Sequence, residues 1–87
     1  MKAKTKYWRM QEAVNHKEVV ISILDVLDHN PLFLNKCTSS NFAILNSLTS
    51  PKEQKFFLTH LIWEQVRDLF IEIKTEYYYS QDYSIKF

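Results

Sequence analysis

Apolar positions along the chain recur mostly at intervals of three and four residues, the spacing of one face of a helix. Tyr7, Met10 and Val14 open the pattern with Ala13 beside them, and they predict a short helix over about 6–14. The phase then shifts. Val19, Val20, Ile23, Leu24, Val26 and Leu27 fall on a second face, rotated by roughly 110° at 100° per residue. Between the two sits Asn15-His16-Lys17-Glu18, a capping box in which Asn15 accepts the Glu18 backbone N–H and Glu18 reaches back. It predicts a new helix over about 16–29, with one long kinked helix as the alternative. Asn30 before Pro31 ends that helix, because a residue preceding proline avoids the helical region.

Residues 31–38 read as a hydrophobic connector whose Leu32, Phe33 and Leu34 plug the edge of a core. Thr38, Ser39 and Ser40 offer caps for a short helix over about 40–48 with Phe42, Ile44, Leu45 and Leu48 facing inward. Ser50-Pro51-Lys52-Glu53 is the clearest start signal: Ser at the N-cap, Pro at the first helical position and Glu at the third. From there Leu58, Ile62, Val66, Leu69, Phe70, Ile73 and Tyr77 make one unbroken stripe. A single rod to about Tyr77 is expected, on the order of 40 Å long at 1.5 Å per residue. In the tail, Tyr83, Ile85 and Phe87 alternate with Ser84 and Lys86, the period of a half-buried strand, so residues 80–87 are expected to be extended. The fold class expected is all-α: a small bundle of three to four helices with a long C-terminal helix and an extended C-terminal arm.

Composition narrows the chemistry. Eighty-seven residues make one domain, spanning 1–87 with 1–5 frayed. There is no glycine, which excludes phosphate-cradling loops and nucleophile elbows, both of which need its backbone freedom. Cys37 is the only cysteine, so neither an internal disulfide nor a zinc site built on cysteine pairs is available. Its expected role is that of a small buried hydrophobe in a reducing compartment, and the location expected is the cytoplasm. No apolar run approaches the ~20 residues that cross a bilayer, and no membrane association is expected.

Candidate catalytic groups are sparse. Glu12 with His16 and His60 with Glu64 stand four apart, a spacing that builds metal sites in bundles when further ligands join. None does here, and they read as surface pairs. Arg9 and His16 have the spacing seen in some helical ribonucleases but lack a supporting motif and straddle the predicted cap. Ser39 and Ser40 read as caps, not nucleophiles. No catalytic residue, metal or cofactor is assigned, and the chain is not expected to be an enzyme.

Charge is distributed unevenly although the net is only +1. Lys2, Lys4, Lys6, Arg9 and Lys17 outweigh Glu12 and Glu18 at the start. Glu64, Asp68, Glu72 and Glu76 recur every fourth residue later, eased by Arg67 and Lys74. The rod carries a second line opposite its core stripe. Phe57, His60, Glu64, Arg67, Ile71, Lys74 and Tyr78 lie there, and Phe57, Glu64, Ile71 and Tyr78 repeat every seven residues. Thirteen aromatics in so short a chain exceed what one small core hides. Aromatic anchors beside an Arg are the composition of an interaction hot spot.

The function expected is therefore a protein-binding regulator or inhibitor that contacts a partner, including a second copy of itself. Its partner-binding face comprises Phe57, His60, Glu64, Arg67, Asp68, Ile71, Glu72 and Tyr78. By size and composition alone it is analogous to immunity proteins, antitoxins and phage antagonists. The alternative is a nucleic-acid-binding regulator whose Lys2, Lys4, Lys6 and Arg9 neutralise phosphates while Trp8 stacks on a base.

Overall fold

The computed structural model describes the backbone of residues 15–85 and the side chains of residues 15–80. The predicted helix over 6–14 and the basic segment Lys2, Lys4, Lys6, Trp8 and Arg9 lie outside the described residues. Four α-helices occur among those described: α1 (His16–His29), α2 (Ser40–Ser47), α3 (Pro51–His60) and α4 (Trp63–Ile85), with a 3₁₀ turn at Leu32–Lys36 between α1 and α2.

Helix α1 begins and ends where local chemistry dictates. Asn15 is extended, and its Oδ1 accepts the Glu18 N–H at 3.0 Å. At the other end Asn30 adopts the left-handed conformation, φ 49° and ψ 54°, and donates its N–H to the carbonyls of Val26 and Leu27. A helix stop of this kind favours glycine. In a chain with none, asparagine tolerates the conformation best. Val19, Val20, Ile23 and Val26 are buried, with Leu24 and Leu27 packed against the core.

The connector divides. Leu34 and Cys37 are buried and Phe33 packs on the core, but Leu32 is 84% exposed, so the expectation that it plugs the core is corrected. A 3₁₀ turn has three residues per turn and cannot bring three consecutive side chains inward. Helix α2 starts at Ser39, whose Oγ accepts the Phe42 N–H at 3.2 Å. Phe42 and Leu45 face inward; Ile44 is exposed and Leu48 half-buried, against the expectation that all four turn inward. Ser50 occupies the N-cap of α3 and Pro51 its first position, but Ser50 makes no side-chain cap bond. The start is where the motif puts it, held by backbone geometry and proline alone.

The single rod is the largest correction. Helix α3 stops at His60, Leu61 is extended (φ −72°, ψ 145°), and α4 starts at Trp63. Three polar contacts fill the gap. The His16 ring donates from Nε2 to the Leu61 carbonyl at 2.8 Å. The Ile62 N–H donates to Gln65 Oε1 at 3.4 Å, and the Ile62 carbonyl accepts the first bond of α4 from Val66. Gln65 thus reaches back from the third helical position, half of a capping box whose cap residue is an isoleucine. The break turns Ile62 out of the core stripe, and it is 61% exposed.

Beyond the break the stripe holds. Val66, Leu69, Phe70, Ile73 and Tyr77 are buried on one side of α4, which packs against α1, the 3₁₀ turn and α2. The extended arm expected from residue 80 is also corrected, since the backbone stays helical through Ile85. A lone strand needs an edge to pair with, and no strand occurs among the described residues. Phe87 and Lys86 lie outside them.

Candidate functional site

Where α3 leans on α2, the side chains of Ile44, Leu48, Phe56, Phe57 and Leu61 line an open groove of about 730 Å³, with Lys52, Glu53 and His60 along it. Its walls follow from the two helix phases. Phe42 and Leu45 take the inward positions of α2, which leaves Ile44 and Leu48 on the side toward α3. On α3, Leu58 is fully buried and Phe57 packs at the core margin. Phe56, one step further round, is left 65% exposed. The Gln54 side chain donates from Nε2 to the Leu48 carbonyl at 3.0 Å and ties the end of α2 to the start of α3.

Glu53, Phe56, Phe57 and His60 stand at i, i+3, i+4 and i+7, so they share one face of α3. Phe56 and His60 stack with ring centroids 4.1 Å apart. His60 Nδ1 lies 2.8 Å from the Phe56 carbonyl, to which it donates, and this orients the ring and leaves Nε2 for an outside partner.

The eight residues expected to form one partner-binding face do not. The break assigns Phe57 and His60 to the groove. Glu64, Arg67, Asp68, Ile71 and Tyr78 lie on the exposed side of α4, so the seven-residue line from Phe57 to Tyr78 is interrupted after its first member. On that exposed side Ile71 is 50% exposed and Tyr78 42%. The two are separated by two helical turns and flanked by charge, including an Arg67–Asp68 pair at 3.7 Å. Isolated apolar side chains of this kind are ordinary surface.

Glu72 has a different task. Its Oε2 accepts the Thr38 N–H at 2.8 Å and the Ser39 N–H at 3.0 Å, while its Oε1 accepts the Ser39 hydroxyl at 2.6 Å. Because Ser39 Oγ caps Phe42, the carboxylate anchors the whole start of α2 to the middle of α4. The acidic strip is therefore split between a structural anchor and the exposed Glu64 and Asp68.

The groups with catalytic potential are committed elsewhere. His60 and Glu64 sit on different helices. No cluster of three or more His, Cys, Asp or Glu able to hold a metal occurs among the described residues. The His16 ring bonds the Leu61 carbonyl, and Glu12 and Arg9 lie outside the described residues. Cys37 is buried, and burial, reinforced by the charges of Glu72 and Glu76, pushes its thiol from 9.0 up to about 12. Among the described residues no helix is long and apolar enough to cross a membrane.

Ile44, Leu48, Lys52, Glu53, Phe56 and Leu61 are the groove residues absent from the expected face. The i, i+3, i+4, i+7 spacing on α3 signals Glu53 and Phe56, whereas Ile44, Leu48 and Leu61 join them only through the packing of α2 and the break after His60. The chain matches no known protein family, no curated protein and no solved structure.

Proposed function

We propose that this chain is a small protein-binding regulator or inhibitor that works by contact, and that the groove between α2 and α3 is its principal binding surface. The observation that carries this reading is the exposed Phe56 beside an open groove lined by Ile44, Leu48, Phe57 and Leu61. An aromatic anchor next to an apolar concavity with a few charges on its margin is the anatomy of a contact hot spot. Grooves between two helices take amphipathic helices, which bury their apolar face and leave charge at the rim.

A non-enzymatic role is supported by what the reactive groups already do. The Ser39 hydroxyl is a helix cap held by Glu72, the Cys37 thiol is buried and protonated at neutral pH, and the His16 and His60 rings bond backbone carbonyls. The charged groups on the exposed side of α4, Glu64, Arg67 and Asp68, supply a secondary, electrostatic contact, to which the isolated Ile71 and Tyr78 add nothing.

The test is affinity capture from the native host with the full chain and with Phe56→Glu. A protein retained by the first and lost with the second, while circular dichroism shows both folded, is the expected result. Equal retention by the two would overturn the assignment of the groove.

A further inference from the structure

The contact face of α3 is nearly symmetric about its own middle. Glu53 and His60 lie equally far from the midpoint between Phe56 and Phe57, about 10 Å apart along the axis at 1.5 Å per residue. Two such helices laid antiparallel about a two-fold axis through that midpoint bring four Phe rings together. They also place Glu53 of each copy against the partner's His60. The His60 ring is held by its Nδ1 bond to the Phe56 carbonyl, so its Nε2 edge is the one turned toward that carboxylate. Lys52, near the start of α3, then lies beside the carbonyl end of the partner helix, where positive charge is favoured. A parallel arrangement opposes Glu53 to Glu53 and Lys52 to Lys52, and is disfavoured.

We infer that the occupant of the groove is a second copy of this chain, paired through antiparallel α3 helices with each Phe56 seated in the other copy's groove. Knob and hole on one patch are what an isologous two-fold interface requires. The rim carries Lys52, Glu53 and His60 in place of one sign of charge, and the chain's net charge of +1 opposes self-association little. The inference rests on the reading of the groove as a protein-contact surface and names its partner.

The experiment is sedimentation equilibrium of the full chain over a concentration series, with each variant checked for helicity and thermal unfolding. The wild type is expected to approach the mass of two chains. Phe56→Glu is expected to weaken dimerisation about tenfold or more, and Ile71→Glu to leave it unchanged. Glu53→Arg is expected to weaken it and Glu53→Arg with His60→Glu to restore it, a test that stands even if Phe56→Glu fails to fold. A single-chain mass at every concentration overturns the inference, as does a dimer indifferent to Phe56→Glu or a charge swap that restores nothing. A monomer that still captures a host protein through Phe56 defeats the inference alone. A Phe56-dependent dimer that captures nothing defeats the regulator reading alone.

Discussion

The Glu72 carboxylate accepts two backbone N–H groups and one hydroxyl from the Thr38–Ser39 corner, all within 3.0 Å. Removing it releases those donors and loosens the Ser39 cap behind them. Glu72→Ala is expected to lower unfolding stability by about 1–2 kcal/mol, measured by urea denaturation; a change near zero would show that the anchor carries no energy. Cys37 gives a second residue-scale test. Its folded thiol titrates near 12 and its ordinary value is 9.0. Between those values the unfolded chain has lost the proton that the folded chain keeps, so ionisation favours unfolding. This contribution to stability is whole below pH 9 and shrinks as pH rises toward 12. Native protein at neutral pH is expected to resist a thiol reagent that labels it promptly in urea. Prompt native labelling would contradict the burial of Cys37.

At the scale of elements, the break between α3 and α4 organises the molecule. Its carbonyl at Leu61 is satisfied from α1 by His16, so the corner is a three-helix junction. His16→Ala leaves that carbonyl without its protein donor and is expected to cost about 1 kcal/mol. In hydrogen exchange, amides at the start of α4 are expected to exchange faster than those of Ile73 or Tyr77, since a helix's first N–H groups have no intrahelical acceptor. Uniform protection from Phe57 to Phe70 would mean a continuous rod.

The break also marks where the sequence ceased to be legible. The start and end of α1 were readable because Asn15 and Pro31 act through their own backbone neighbours. The starts of α2 and α3 were readable from Ser39 and from Ser50-Pro51 for the same reason. The α4 start is not signalled: its cap is Ile62, and Leu58, Ile62 and Val66 keep helical spacing across the gap. The groups that stabilise it are a donor from His16, 45 residues away in sequence from Leu61, and an acceptor from a Gln65 that any helix accommodates. The tail misled in the opposite way. Alternation at Tyr83, Ile85 and Phe87 suggested a strand, while the helix already formed through Tyr77 simply continued. The sequence places Glu72 on the partner-binding face and gives no sign of its anchoring role, because its three donors lie 33 and 34 residues away.

For the whole molecule, the core is spent on one side of each helix, and what remains decides the function. Leu58, Val66 and Ile73 are fully enclosed, as are Val19, Ile23 and Leu45 opposite them. A domain of this size has little further apolar surface to hide within itself. Part of the remainder lines the groove where the bent α3–α4 junction holds α3 against α2, with Phe56 and Ile44 exposed there, while Leu32 and Tyr79 stand exposed along a second groove. The excess of aromatics was legible from composition; its location was not, because it depends on the break. A straight rod would have put Phe57, Glu64, Ile71 and Tyr78 on one line, whereas the bend leaves Phe57 on the groove and the other three on α4. The most direct test compares Phe56→Glu with Ile71→Glu, both confirmed folded, in one binding assay against the captured partner. Loss with Phe56→Glu and full binding with Ile71→Glu is the predicted result; the reverse pattern would contradict it and return the contact to the outer side of α4.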